Sequence, residues 1–144
     1  MSYQSHYFKE VREAQKNAYA PYSNFKVGAY LRTKDGRCFH GANVENAAYP
    51  MGICAERSSL VSAISEGYQP GDFESITVTV DADKPSSPCG ECRQVMMELC
   101  DKDMPVYMTN QNGDMIEATV GELLPLGFSG KDLNKWQNIN QDLF

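Results

Sequence analysis

The sequence predicts an α/β protein: a three-layer α/β/α domain whose mixed sheet has five strands, the last of them antiparallel to its neighbour. Three observations carry this. Short segments of alternating apolar residues are interleaved with stretches of helical spacing. Two of the strands, residues 75–80 and 106–109, are joined through a helical stretch, the pattern of a right-handed crossover between parallel neighbours. The final pair is joined by a short loop containing Asn112-Gly113, which has room only for a hairpin.

The elements follow in order. Tyr7, Phe8, Val11, Ala14, Gln15 and Ala18 fall near helical spacing, and that helix should stop before Pro21. Val27, Ala29 and Leu31 alternate with Lys26, Tyr30 and Arg32. Lys34-Asp35-Gly36-Arg37 then turns the chain back into a strand from Cys38 to Asn43. From Cys54 to about Ser65 the residues Leu60, Val61 and Ile64 mark a second helix, with Gly67 placed to end it. Ile76, Val78 and Val80 share one face of the next strand. Pro88 and Cys89 open a helix carrying Val95, Met96 and Leu99, and Pro105 leads into the following strand. Glu122 to Leu124 suggests one helical turn before Pro125. The polar tail after Lys131, which holds the only tryptophan, Trp136, is compatible with helix or coil.

No repeat, low-complexity tract or linker divides the 144 residues, so residues 1–144 are read as one domain. No apolar run approaches the roughly 18 residues of a membrane span, and the polar start lacks the pattern of a signal peptide, so a cytoplasmic location is expected. A net charge of -6 disfavours a nucleic-acid partner, since phosphate backbones bind through Lys and Arg. The five cysteines cannot all pair within the chain, and a reducing compartment disfavours disulfides. Metal binding or burial must account for them.

The chemistry concentrates in Cys54-Ala55-Glu56-Arg57 at one helix start and Pro88-Cys89-Gly90-Glu91-Cys92 at the next. Backbone N–H groups and the helix dipole favour anions at such starts, and so the thiolate form that metals bind. Three thiolates from Cys54, Cys89 and Cys92 with one open position describe a catalytic zinc site, because structural sites close all four positions with protein ligands. Zinc in such a site acidifies a water from a pKa of 15.7 to about 7. Glu56, two residues from a ligand, is read as the general acid and base, and Arg57 as donating to the thiolate sulfurs and drawing charge from them.

These motifs resemble the zinc signature of the small homotetrameric cytidine deaminases. The resemblance extends through Pro21-Tyr22-Ser23-Asn24-Phe25, Asn43-Val44-Glu45-Asn46-Ala47 and Leu124-Pro125-Leu126-Gly127-Phe128. It implies hydrolytic deamination of cytidine and deoxycytidine, a step of pyrimidine salvage, with one zinc ion per subunit. It also implies that Phe25 stacks on the pyrimidine, that Asn43 and Glu45 bind the ribose hydroxyls, and that the Ala55 amide holds the base carbonyl. Phe128 of a neighbouring subunit would close the pocket, so the tetramer would share its active sites. The spacing of Asn43 and Glu45 agrees, because i and i+2 on extended chain point the same way. The hairpin at Asn112-Gly113 separates the chain from the polynucleotide-editing deaminases, in which the resemblance places a helix between the final strands.

Blander readings compete at each position. Cys38 and Cys100 are expected to be small buried hydrophobes, and His6 and His40 surface or strand residues. A structural zinc site would recruit Cys38, Cys100 or His40 as fourth ligand, and a zinc-stabilised oligomerisation module without activity would need such closure. Glu56 could serve only the helix dipole, Phe25 and Phe128 only the core, Asn43 a turn, and Glu45 a solvated surface. The substrate also has an alternative, a cytosine nucleoside antibiotic of the blasticidin S type.

Overall fold

The computed structural model describes residues 2–133. In chain order the elements are α1 (Ser5–Gln15), β1 (Gly28–Thr33), β2 (Cys38–Ala42), α2 (Ala55–Ser65), β3 (Phe73–Val80), α3 (Gly90–Leu99), β4 (Pro105–Asn110), β5 (Met115–Thr119) and α4 (Val120–Leu123), with 3-10 turns at Tyr49–Met51 and Gly130–Leu133. The sheet order is β2-β1-β3-β4-β5. Only β3 and β4 pair in parallel, through α3, and every other neighbouring pair is antiparallel, including the β4-β5 hairpin predicted from Asn112-Gly113. Trp136 and the tail beyond Leu133 lie outside the described residues.

The two faces of the sheet are covered differently. Beneath α2 and α3, Ala29, Leu31, Ile76, Val78, Val106 and Met108 pack with Leu60, Ala63, Cys92 and Met96 in the main core. On the opposite face α1 covers β1 and β3, with Tyr7 and Val11 against Tyr30 and Tyr107. A central strand sandwiched in this way buries residues of both parities, so β1 is buried almost throughout and not on alternate residues.

Two glycines let the helices approach the sheet. A Cβ on Gly28 would stand 2.5 Å from the carbonyl oxygen of Val11 in α1, and one on Gly41 would stand 2.2 Å from the carbonyl oxygen of Ala55 at the start of α2. The second contact matters for the site, because it brings the first turn of α2 directly onto β2. Ser58 reinforces it, accepting from the Ala42 N–H at 3.1 Å and lying 3.2 Å from the Ala42 carbonyl.

Three expectations need correction. The first helix ends at Gln15, short of Ala18, because the backbone of Tyr19 is taken up in pairing with the segment around Val44: its N–H donates to Asn43 O at 2.9 Å and its carbonyl accepts from Glu45 N at 2.8 Å. The last turn begins at Val120, two residues earlier than expected, set by a capping box in which Thr119 and Glu122 exchange hydrogen bonds. Cys38 is exposed. Period-two alternation on the edge strand β2 sends Phe39 and Gly41 inward and leaves Cys38 and His40 on a face that solvent reaches. Cys100 is buried as expected, and burial pushes its thiol up to about 12. No helix among the described residues is long and apolar enough to cross a membrane.

Candidate active site

Two helix starts converge at the ends of β1, β2 and β3. Cys54 is the N-cap of α2 and Cys89 the N-cap of α3, and Cys92 lies in the first turn of α3. Cys54 Sγ is 3.8 Å from Cys89 Sγ, Cys89 Sγ is 3.5 Å from Cys92 Sγ, and all three sulfurs lie within 4.8 Å of one another. Thiolates bound to one tetrahedral zinc at 2.3 Å stand about 3.8 Å apart, so the donor set fits that metal in number, chemistry and spacing. No fourth His, Cys, Asp or Glu among the described residues joins the cluster. His40 is 2.8 Å from Glu10 on the α1 side, and Cys100 is buried at the far end of α3. The closed four-ligand arrangement therefore has no candidate among the described residues.

The thiols share their protons unequally. Cys54 is pulled down to about 6, chiefly by the hydrogen bond from Cys92, with help from Cys89 and from the positive charge of Arg57, against the effect of burial. Cys92 is pushed upward, first by that same hydrogen bond and then by its burial. Glu56 is 4% exposed, and burial drives its carboxyl up to about 7, partly offset by a hydrogen bond from its own backbone N–H and, less, by the Cys92 thiol. A first-turn carboxylate serving only the helix dipole would face solvent and stay ionised. Glu56 is instead a buried carboxyl that both holds and releases a proton near neutral pH.

Cys54, Cys89 and Glu56 line a cavity of about 470 Å³, whose wall also carries Phe25, Asn43, Glu45 and Ala55, while Cys92 is buried behind it. Asn43 is committed twice to the backbone. Its Oδ1 accepts from Val27 N at 2.9 Å and its Nδ2 donates to Phe25 O at 2.8 Å, so it clasps the segment that presents Phe25. Glu45 accepts from the N–H groups of Tyr22 (2.9 Å) and Ser23 (3.1 Å) and from the Ser23 hydroxyl, and that hydroxyl holds it below the usual carboxylate range. Glu45 is therefore a tethered anion and not a freely solvated charge.

One predicted residue behaves otherwise, and the exposure of Phe128 leaves its expected role across a subunit boundary untouched. Arg57 Nη1 donates to Glu91 Oε2 at 3.1 Å and not to a sulfur, although its charge still lowers the Cys54 thiol. Phe128 is 58% exposed and does not line the cavity; its carbonyl accepts from Gln94 Nε2 at 2.9 Å. The sequence reading missed Ser23 as the group that orients Glu45, and Tyr49, Ser86 and Ser87 as cavity wall. A signal for Ser23 existed: a serine two residues before Phe25 readily turns back on the backbone, as its Oγ does in accepting from Phe25 N at 3.0 Å. Ser86 and Ser87 carried no pattern that distinguishes them from any loop serine.

Fold and site together define an α/β/α domain with a cluster of three thiols that fits a zinc ion, backed by a buried carboxyl. The chain belongs to the cytidine and deoxycytidylate deaminase family, whose zinc-binding region matches residues 1–108. It is 49% identical over 125 residues to a cytidine deaminase of Sporosarcina psychrophila, covering 87% of this chain and 90% of that protein. It is 51% identical over 126 residues to one of Halalkalibacterium halodurans, covering 88% and 94%. Among solved structures, a cytidine deaminase from Burkholderia pseudomallei superposes with a TM-score of 0.85 at 49% identity, covering 88% of this chain and all of the other.

Proposed function

We propose that this chain hydrolyses the 4-amino group of cytidine and deoxycytidine, yielding the uracil nucleosides and ammonia. The observation that carries the reading is the buried Glu56 carboxyl, which sits beside the three clustered thiols and on the wall of the 470 Å³ cavity. Cys54, Cys89 and Cys92 would hold one zinc ion per subunit. Zinc bound there supplies a water acidified toward neutrality.

The chain's own residues do the rest. Glu56, its carboxyl raised by burial to about 7, relays both protons of the water: it takes one from the attacking water and places it on the ring nitrogen, then takes the second from the resulting hydroxyl on C4 and delivers it to the leaving amine. Ala55, first residue of α2, offers a backbone N–H to the base carbonyl at the positive end of the helix dipole. Phe25 provides a stacking face. Glu45, ionised and held by Ser23, accepts from ribose hydroxyls, and Asn43 keeps one N–H and one lone pair after its two backbone bonds. Phe128, exposed on its own subunit, is suited to closing the cavity of a neighbour in a homotetramer. Arg57 tempers the negative charge of the thiolates from its bond with Glu91. A cytoplasmic role in pyrimidine salvage accords with this chemistry.

The test is loss of cytidine absorbance with purified protein, before and after zinc chelation, with zinc counted per chain. Zinc-dependent conversion at one metal per subunit is the expected result. Zinc bound at that ratio without reaction of cytidine or deoxycytidine would overturn the substrate assignment, and a panel including blasticidin S would then identify the substrate.

A further inference from the structure

Arg93 lies in α3, one residue beyond Cys92 and four beyond Cys89, and its guanidinium reaches three acceptors on two separate pieces of chain. Nε donates to the Pro88 carbonyl at 2.7 Å, Nη2 to Ser87 Oγ at 2.6 Å, and Nη1 to the Leu123 carbonyl at the end of α4 at 2.8 Å. The Pro88 carbonyl belongs to the peptide that enters Cys89, and Ser87 lines the cavity. The stretch from Asp81 to Cys89 has no regular secondary structure. At its far end Asn110 Nδ2 donates to Ala82 O at 3.1 Å and to Asp83 O at 3.2 Å, and at its near end it is held by Arg93. Cys92 is carried by the helix itself, whereas Cys89, as N-cap, is tied to the helix through its carbonyl, which accepts from Arg93 N at 3.0 Å, and on its other side through the chain that enters it.

We propose that Arg93 is a positioning residue that pins the Ser87–Pro88 segment against α3 and α4, so holding the Cys89 thiol in register with Cys92 and setting how long the chain retains its metal. The inference rests on the reading of the three thiols as zinc ligands. A planar fork with donors pointing in three directions suits this task, whereas a lysine ammonium at the end of a flexible stem cannot reach all three acceptors at once. Groups that orient a ligand from outside the coordination sphere typically alter metal affinity by about 10- to 100-fold.

The test measures zinc release from the loaded holoenzyme into excess chromophoric chelator. Arg93→Lys should release zinc about tenfold faster than wild type, and Ser87→Ala, which removes one of the three acceptors, should show a smaller acceleration in the same direction. Added guanidinium ion should slow release from Arg93→Ala. A role confined to general stability is separated by Val11→Ala, which loosens the opposite face beneath α1; compared at equal unfolding midpoint, it should release zinc at the wild-type rate. Equal acceleration in Val11→Ala would overturn the inference, as would wild-type release rates in folded Arg93→Lys and Ser87→Ala. If Arg93→Lys fails to fold, unchanged release from Ser87→Ala overturns it. A wild-type protein that holds no zinc would remove the metal reading itself, whereas a loaded wild type with unaffected variants removes this inference alone.

Discussion

Replacing Glu56 by Gln should expose the burial of its carboxyl as a pH-dependent difference in stability. Burial raises the pKa from an ordinary 4.5 to about 7 in the metal-free chain. A carboxyl held more weakly acidic when folded contributes stability in full below the unfolded value, and that contribution is lost as pH rises through the folded value, because the native state binds the proton more tightly. At about 1.4 kcal/mol per pKa unit, the wild type should lose ~3 kcal/mol relative to the variant as pH rises from about 4.5 to 8. Gln keeps the size of the side chain and cannot ionise, so it lacks this dependence. The Cys54 thiol, depressed to about 6, acts with the opposite sign, losing its contribution as pH falls through that value, and it is common to both proteins. Urea unfolding of both metal-free proteins across this range, with chelator and reductant present, isolates the Glu56 effect as the difference between them. The gap should widen in favour of the variant by ~3 kcal/mol toward high pH. A gap flat to within about 0.5 kcal/mol would refute the argument that burial sets this carboxyl's proton affinity. In the zinc-loaded protein the same substitution should retain the metal and cost about 10²- to 10⁴-fold in kcat, the usual worth of a general acid and base.

Three further outcomes are expected. Cys89→Ala should bring the zinc count close to zero, because two thiols remain; a full complement of metal would contradict the assignment of the site. Asn43→Ala should lower stability by about 1–3 kcal/mol in denaturant titration as well as raising KM, since it deletes two hydrogen bonds to the backbone of Phe25 and Val27. A pure ribose contact would leave stability untouched. Gly41→Ala should destabilise by about 1–3 kcal/mol and lower zinc occupancy, because its methyl would meet the Ala55 carbonyl and push the start of α2 off β2; wild-type melting and zinc content would show that the helix start accommodates it.

Much of the site was legible because its signals are local. A cysteine at a helix start with a carboxyl two residues on, and a CxxC at the next helix start, are each compact in the chain, and the chemistry of thiols and carboxyls follows from residue type. The sheet was legible for a similar reason: period-two and helical spacing survive in the strand-helix-strand stretch from β3 to β4, and Asn112-Gly113 dictates the hairpin. Arg57 shows where such reading stops. Its neighbours in sequence suggested the thiolates as its partner, whereas its partner in space is Glu91, 34 residues away on α3. Asn43 stops it in the same way, since nothing local announces that its amide is spent on a loop 16 to 18 residues earlier.

The order of elements, the parallel crossover, the final hairpin and the side chains able to bind metal or move a proton are written in the chain, because they depend on periodicity, turn chemistry and functional group. It took the packed chain to bring the three sulfurs within 4.8 Å, to bury Glu56 deeply enough to titrate near neutrality, to turn Cys38 to solvent, and to let Arg93 tie the entry of Cys89 to α4. Burial, proton affinity and ion-pair partner are properties of what surrounds a group in three dimensions. They arise when Gly41 lets α2 close onto the sheet and the β3-α3 loop brings the second helix start beside the first.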